Sequence, residues 1–548
     1  MKEQSVHKQT VKEALAQLET WDDERLVGQL FSVASGGHAA KNILGFGDSA
    51  SPDQVERAHA ALLQLIRDYH LGAIIYFPPG GDHEPVADIR RRVLELQAAA
   101  EVPLLISTDQ ENGTVARVRV GVTHLPGAMA LGATGDEELW RETARATAAQ
   151  LRSVGIAQTL APVADVNVVA ENPGVNIRSA GSDPQRAARQ LAVTIRAWSE
   201  AGLASTLKHF PGYGSAAVDP HLGLPSVGLS RDQWDRTERL PFQAAIEAGA
   251  DTVMLGHVAF PALDPVDAAT FSRPIVTDLL RDELGFTGVI ITDALDMGGA
   301  ERPEGPAEAC VSALQAGVDQ LLMPVDLPTA YEAVLRALRE GRLDRDQLVA
   351  SARRILTLKA KLQLDEPIGP GPETLPHQEQ AELARRVATA AVAQRNAEVP
   401  AVLTPGAELL LIHPGVDPQK RGVNPGEVLG RQLRAAGHGV TELVWTEGTP
   451  WPGRPDTSAQ EAVLVLRDAW KEHAPVAEVL AELSRAGLVV HVVALRSPYE
   501  AASVAGKYSV LLTYGDNQFA VEAAGRVLLG EEPARGGLPM GVPTPADQ

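Results

Sequence analysis

The chain has 548 residues, of which 45% are hydrophobic, and this length is enough for roughly two to four domains with sizeable cores. Its 49 Lys and Arg against 70 Asp and Glu give a net charge of −21, which repels nucleic acids and anionic membrane surfaces, so we expect neither as a partner. Cys310 is the only cysteine, which excludes an intrachain disulfide and a Cys-based metal site. A single cysteine and an N-terminus without an apolar signal segment make the cytoplasm the expected location.

Short apolar runs recur along residues 1–365, and most are continuous rather than alternating. Continuous runs are typical of parallel strands buried on both faces, and each gap is long enough for a crossover helix. The predicted strands are 29–33, 72–77, 102–107, 156–161, 204–207, 252–255, 288–292 and 318–323. Predicted helices between them include 138–154, 186–201, 236–248 and 306–316. The pattern predicts a TIM (β/α)₈ barrel over residues 1–365, with an open doubly wound sheet as the alternative.

A Pro- and Gly-rich stretch at 366–376 interrupts the pattern and predicts a linker. Strand-like runs then alternate with helical patterns over residues 377–548, which predicts a second α/β domain with a layered sheet. The predicted strands there are 409–412, 441–445, 462–466, 488–495 and 509–513. The final stretch, 531–548, is rich in Pro and Gly, which predicts an extended or disordered tail.

Polar side chains follow four of the predicted barrel strands. They are Asp109, the pair Lys208 and His209, His257, and Asp293. Each of them alone is compatible with a solvated loop charge. Because active sites of TIM barrels lie at the carboxyl ends of the strands, their co-occurrence predicts one shared pocket.

A long Gly- and Pro-rich loop leaves the fifth strand and reaches Asp219 and His221. In an extended loop these two side chains lie on the same side, so the carboxylate can orient the imidazole as a proton donor and acceptor. The alternative is a loop-capping Asp beside an exposed His. His209 and His257 could join them as metal ligands, but no metal-binding spacing occurs, and we expect no metal.

Asp293 ends an apolar strand, where a carboxylate needs polar or cationic partners. Lys208 and Arg178 are candidate partners. A carboxylate held ionised in this way is a competent nucleophile toward a sugar carbon. The competing interpretations are a helix N-cap and a structural ion pair.

At these residues the sequence resembles glycoside hydrolase family 3, specifically its β-N-acetylglucosaminidase branch. The motifs that carry the resemblance are K-H-F-P-G-Y-G-S-A-A-V-D-P-H at 208–221, I-T-D-A-L-D-M at 291–297 and D-Q-E-N-G-T-V-A-R at 109–117. A-P-V-A-D-V at 161–166 and N-P at 172–173 also fit, and the likeness extends over nearly the whole chain.

The resemblance implies a retaining exo-hydrolase that removes terminal β-linked GlcNAc through a covalent glycosyl-enzyme, from peptidoglycan fragments, without a cofactor. It implies that Asp293 is the nucleophile and that His221 with Asp219 is the acid/base dyad. The positions that match contacts to the GlcNAc are Asp109, Arg117, Arg178, Lys208 and His209. Phosphate in place of water as the second nucleophile remains open.

Four positions depart from the family pattern. Tyr213 stands where the family usually has a second His, Asn112 and Thr114 replace a Gly and an Arg, and Pro220 replaces a Ser or Thr inside the dyad. These changes leave two alternatives open: a catalytically impaired sugar-binding or regulatory protein, and a β-glycosidase with a different sugar specificity.

Overall fold

The structure is a computed structural model. It describes residues 8–36, 51–79, 81, 83–169, 172, 174–216, 223–396, 398–416, 423–446, 449–468, 475–504 and 506–539. No helix in these ranges is long and apolar enough to cross a bilayer.

Eight parallel strands form a closed barrel in the first part of the chain. They are β1 Phe31–Ala34, β2 Ala73–Ile75, β3 Leu105–Thr108, β6 Gln158–Thr159, β7 Thr206–Phe210, β8 Thr252–Leu255, β9 Val289–Thr292 and β10 Leu321–Leu322. Five pair in the order β10-β1-β2-β3-β6 and three in the order β7-β8-β9. Parallel bridges from Gln158 to Ala204 and from Ile291 to Gln320 join the two groups. Each predicted run overlaps one strand, so the predicted TIM barrel is confirmed.

Helices surround this barrel, and Asp side chains begin several of them. Asp136 accepts the backbone N–H groups of Glu138 and Leu139, and Asp183 likewise caps the helix that Pro184 begins. The helices are α1 Val11–Gln17, α2 Asp23–Gly28, α3 Pro52–Asp68, α4 Val86–Ala99, α5 Ala128–Thr134, α6 Glu137–Ser153, α7 Pro184–Glu200, α8 Arg231–Arg236, α9 Arg239–Glu247, α10 Pro306–Ala316, α11 Leu327–Arg339 and α12 Arg345–Lys361. A π-helix, Pro274–Glu283, lies between β8 and β9.

A short antiparallel hairpin, β4 Gln110–Asn112 with β5 Val115–Ala116, directly follows β3. It was not predicted from the sequence. The hairpin matters for the site because it projects from the carboxyl end of the barrel.

The second part of the chain contains a six-stranded sheet in the order β11-β16-β15-β14-β12-β13. Its strands are β11 Ala393–Arg395, β12 Glu408–His413, β13 Gly439–Val444, β14 Glu461–Arg467, β15 Val489–Leu495 and β16 Ser509–Leu512. The helices are α13 His377–Ala391, α14 Pro425–Ala435, α15 Val476–Arg485 and α16 Gln518–Leu528. The second α/β domain was predicted, whereas the antiparallel edge strand β11 was not, because Ala-Gln-Arg carries no strand pattern.

The two parts pack against each other. Leu383 and Val387 of α13 share an apolar cluster with Leu131 and Trp140 of the barrel helices. The carboxyl ends of β15 and β16 face the barrel, where the Asn517 amide donates to the His124 carbonyl at 3.4 Å. Between α12 and α13 the regular structure is limited to the 3₁₀ turn Pro372–Thr374, and the boundaries at 366 and 376 remain our proposal.

The end of the described chain is extended and ordered by hydrogen bonds. The Gly536 N–H donates to the Val392 carbonyl and the Gly537 N–H to the Ala133 carbonyl, each at 2.8 Å. Part of the predicted tail, up to residue 539, is therefore a bridge between the barrel and the second domain.

Candidate active site

The predicted polar residues gather at the carboxyl end of the barrel. Asp109 follows β3, Lys208 and His209 lie within β7, and Asp293 follows β9. Parallel strands of one barrel end on the same face, which brings these distant positions together.

An ion-paired cluster forms one side of the site. Lys208 Nζ lies 2.6 Å from Glu111 Oε1 and 3.0 Å from Asp109 Oδ1. Arg178 binds the same Glu111 carboxylate through two hydrogen bonds of 2.8 Å. This bidentate geometry fixes the guanidinium plane relative to the carboxylate plane. Arg117 Nη2 lies 3.9 Å from Asp109 Oδ2 and its guanidinium stacks over the Phe77 ring.

The charges in this cluster stabilise one another. Burial opposes ionisation of Glu111, but Arg178 and Lys208 outweigh it and hold the pKa of this carboxyl well below its ordinary value. Burial likewise opposes the charge of Lys208, but Glu111 and Asp109 raise the pKa of its ammonium group above the ordinary value. The cluster therefore holds cationic hydrogen-bond donors and anionic hydrogen-bond acceptors in fixed positions. Sugar hydroxyl groups, which both donate and accept, can bind to such a cluster.

His209 is held by a carboxylate that the sequence analysis did not select. Asp165 has a fully buried side chain, and its Oδ2 lies 2.7 Å from Nδ1 of His209. The same carboxylate accepts the backbone N–H of Tyr213 at 2.9 Å. Asp165 thus orients the imidazole of His209, whose other ring nitrogen, Nε2, points away from the Asp165 carboxylate.

The first turn of the loop after β7 packs tightly on the segment that carries Asp165. Gly214 lies so close that a Cβ there would meet the Val166 carbonyl oxygen at 1.9 Å. The buried Glu238 carboxylate joins the two segments, since it accepts the N–H groups of Val166, at 3.0 Å, and of Gly214. Burial, and next the negative charge of Asp165, raise the pKa of Glu238 well above its ordinary value.

Asp293 lies beside these groups with part of its side chain accessible. Burial opposes its ionisation, but His209 and His257 outweigh that effect and lower the pKa of the carboxyl, with smaller contributions from the Ala294 N–H and Lys208. The Ala294 N–H donates to Oδ1 at 2.8 Å. The environment therefore favours the ionised form, which a nucleophile requires.

Two expectations about Asp293 need correction. Arg178 does not serve as its partner, because its guanidinium is engaged with Glu111 and the Gly174 carbonyl. The helix N-cap interpretation is wrong as well, since the next α-helix begins at Pro306, and only the 3₁₀ turn Gly298–Ala300 intervenes.

His257 is oriented by structure rather than free for a metal. Its Nδ1 lies 2.8 Å from the Thr270 hydroxyl and its Nε2 lies 3.0 Å from the Ala294 carbonyl oxygen. Within the described ranges, no group of three or more His, Cys, Asp and Glu side chains could hold a metal ion.

The predicted dyad, Asp219 and His221, lies outside the described residues together with Pro220. The remaining predicted site residues all lie within them. Glu111 and Asp165 were missed as site residues, although both stand inside motifs that carry the family resemblance, at 109–117 and 161–166. Their position in those motifs was the available signal, but only the fold shows which side chain each carboxylate meets.

Comparisons with known proteins agree with the family resemblance. The model of the glycosyl hydrolase family 3 N-terminal domain matches residues 11–358. A β-hexosaminidase A from Pseudoalteromonas piscicida is 37% identical over 331 residues, which cover 55% of this chain and 55% of that protein. The chain therefore spans about half the length of that relative.

Two further similarities extend over both parts of the chain. A β-N-acetylglucosaminidase/β-glucosidase from Cellulomonas fimi is 30% identical over 512 residues, which cover 87% of this chain and 89% of that protein. The solved structure of a family 3 β-N-acetylglucosaminidase from Paenibacillus sp. str. FPU-7 superposes with a TM-score of 0.83 at 31% identity, covering 95% of this chain and 99% of that one. The chain belongs to glycosyl hydrolase family 3.

Proposed function

We propose that this family 3 hydrolase is a retaining exo-β-N-acetylglucosaminidase that removes terminal, non-reducing β-linked GlcNAc. The observation that carries the proposal is the placement of Asp293. It is a partly accessible carboxylate directly after a strand at the carboxyl end of the barrel, the end where the ion-paired cluster of Asp109, Glu111 and Lys208 also lies.

In the proposed reaction the Asp293 carboxylate attacks the anomeric carbon of the bound sugar. The bond to the leaving oxygen breaks, and a covalent glycosyl-enzyme forms. Water then attacks the same carbon from the face that the aglycone has left, so the product retains the β configuration. Two successive inversions at one carbon account for this outcome.

We assign proton transfer to His221, with Asp219 as the group that orients it. This assignment rests on the spacing in the sequence and on the family resemblance. The imidazole would protonate the leaving oxygen in the first step and remove a proton from water in the second. A neutral imidazole repels an incoming anion less than a carboxylate does, so phosphate can compete with water as acceptor in such a site.

Sugar binding is assigned to Asp109, Arg117, Lys208, Arg178 and His209. Carboxylates accept from sugar hydroxyls, and ammonium, guanidinium and imidazole groups donate to them. Because Glu111 neutralises and orients two of the cations, the cluster is arranged before the sugar arrives, which lowers the free energy of reorganisation on binding.

For the natural substrate we propose GlcNAc-containing fragments of peptidoglycan, processed in the cytoplasm. The support is the GlcNAc assignment together with the single, buried cysteine, which fits a reducing compartment. Cell fractionation and assays with muropeptides test this part separately from the chemistry.

A β-glucosidase is the second candidate, because the Cellulomonas fimi relative is named for both activities. A panel of aryl β-glycosides that share one leaving group decides between the two sugars. We expect the highest kcat/KM for β-GlcNAc. A higher value for β-glucoside or β-xyloside would contradict the proposed sugar specificity.

Asp293→Ala tests the mechanism. The variant should fold normally but lose turnover of an aryl β-GlcNAc. Asp344→Ala is the matched control: it removes a carboxylate that caps α12 outside the site, so turnover should persist. Unchanged turnover in Asp293→Ala would overturn the assignment, and an inactive wild-type protein would favour the sugar-binding alternative.

A further inference from the structure

The side chain of Tyr213 is buried in the wall of the candidate site, with 4% of its surface exposed. Its backbone is fixed on both sides, since its N–H donates to Asp165 and its carbonyl accepts the Asn172 amide at 2.8 Å. The ring packs on the imidazole of His209 with a centroid distance of 4.7 Å. The position of the phenol is therefore set before any ligand binds.

Two glycines border the ring. A Cβ at Gly174 would lie 3.6 Å from the Tyr213 hydroxyl oxygen, and a Cβ at Gly256 would lie 3.5 Å from Cδ1 of the ring. Both distances are ordinary van der Waals contacts, so only a side chain longer than a methyl group would crowd the phenol. The local sequence thus accommodates a tyrosine at a place where the family pattern has histidine.

The hydroxyl of Tyr213 makes no hydrogen bond to any residue that the structure describes, although its ring is almost fully buried. A hydroxyl in the wall of a site that has no partner among these residues takes its hydrogen bond from a bound ligand or from water. Burial raises the pKa of this phenol well above its ordinary value, and the hydroxyl therefore stays protonated and able to donate.

The charged groups around the phenol show where in the site it lies. Its hydroxyl oxygen lies beside Gly174, whose carbonyl accepts a hydrogen bond from Arg178 of the ion-paired cluster. Its ring lies beside Gly256, the residue after Leu255, whose carbonyl accepts the N–H of Asp293. If Asp293 meets the anomeric carbon C1 and the cluster meets the more remote ring hydroxyls, the substituent on C2 falls between them. C2 is where GlcNAc carries its acetamido group, whose carbonyl oxygen accepts hydrogen bonds.

We propose that the Tyr213 hydroxyl donates a hydrogen bond to the acetamido carbonyl of the terminal GlcNAc and thereby favours this sugar over glucose. The inference rests on the proposed function and assigns a specificity role to a residue that departs from the family pattern. A neutral donor suits the neutral amide oxygen. The charged side chains of the cluster then remain available to bind the sugar hydroxyls.

Tyr213→Phe removes this one hydroxyl and keeps the ring. The kcat/KM for an aryl β-GlcNAc should fall about tenfold, as expected for loss of one hydrogen bond, while the value for the β-glucoside with the same leaving group should change less than about twofold. The variant should be at least as thermostable as the wild type, because the hydroxyl has no protein partner to lose. Tyr331→Phe is the control, since it removes a hydroxyl that donates to the Glu24 carbonyl far from the site.

A second readout uses aryl β-GlcNAc with an N-trifluoroacetyl group, whose carbonyl is a weaker acceptor. The fluorines should lower kcat/KM in the wild type, and this penalty should shrink in Tyr213→Phe. Equal losses on the GlcNAc and glucose substrates, an unchanged fluorine penalty, or no loss at all would overturn the inference. Failure of the proposed function is distinguishable, because then the wild type itself would not turn over aryl β-GlcNAc.

Discussion

Glu111→Gln is a sensitive test of the ion-paired cluster, because it removes one charge and preserves the shape of the side chain. The carboxylate has three contacts of 2.6 to 2.8 Å with Lys208 and Arg178, and its side chain is 5% exposed. In the variant, the buried cations of Lys208 and Arg178 lose the carboxylate that neutralises them. Breaking a buried ion pair in this way costs about 3–5 kcal/mol, and we expect a loss of that size in the free energy of unfolding at pH 7.

The measurement is urea unfolding of the wild type and the variant at several pH values. The pKa of Glu111 is lower in the folded state than its ordinary value of 4.5. Its contribution is therefore present above about pH 4.5 and decreases as the pH falls toward the lower folded pKa. The stability difference between the two proteins should be largest at neutral pH and shrink below pH 4.5.

Glu308→Gln is the matched control, since Glu308 also pairs with an arginine in two contacts, but at the surface. Exposed pairs contribute about 0–1 kcal/mol. A loss under about 1 kcal/mol in Glu111→Gln, or a difference that does not change between pH 7 and pH 3, would refute the reasoning about the buried cluster.

Three further predictions follow from single residues. Burial lowers the pKa of Lys359 to about 7, so wild-type stability should rise between pH 7 and 10.5, where the unfolded chain binds more protons than the folded one. Lys359→Met should stabilise the protein by about 3–5 kcal/mol at pH 7 and lose this advantage near pH 10.5. A stability difference between variant and wild type that does not change with pH would contradict the account. Asp165→Asn leaves one oxygen to accept from both His209 and the Tyr213 N–H, so kcat/KM should fall about tenfold to a hundredfold, and an unchanged value would argue against an orienting role. His221→Ala should impair substrates with poor leaving groups far more than activated aryl glycosides, which need little protonation, whereas equal losses would speak against an acid role.

The barrel was predictable because its signals are local and repeated. Continuous apolar runs such as 252–255 and 288–292 mark strands buried on both faces, and β8 and β9 lie there. The hairpin β4–β5 and the edge strand β11 carry no such pattern. Their pairing depends on neighbours that the fold supplies, which a local pattern does not contain.

Only those residues of the candidate site that lie in a recognisable motif or directly after a predicted strand could be predicted from the sequence. Asp109, Lys208 and Asp293 follow from position alone, since the carboxyl ends of barrel strands converge. The bidentate pairing of Arg178 with Glu111 depends on three-dimensional proximity across 67 positions. For the same reason the pairing of Lys208 with Glu111 and that of Asp165 with His209 could not be predicted from the sequence.

The central claim is that Asp293 forms a covalent bond to the sugar, and trapping that intermediate tests it most directly. An activated 5-fluoro GlcNAc donor slows both steps because fluorine disfavours positive charge at the ring, but its good leaving group keeps the first step faster. Intact mass followed by peptide mapping should show one fluoroglycosyl group on the peptide that contains Asp293, and none in Asp293→Ala. An adduct on another residue, or turnover of the donor without any adduct under conditions that trap other retaining enzymes, would contradict the account.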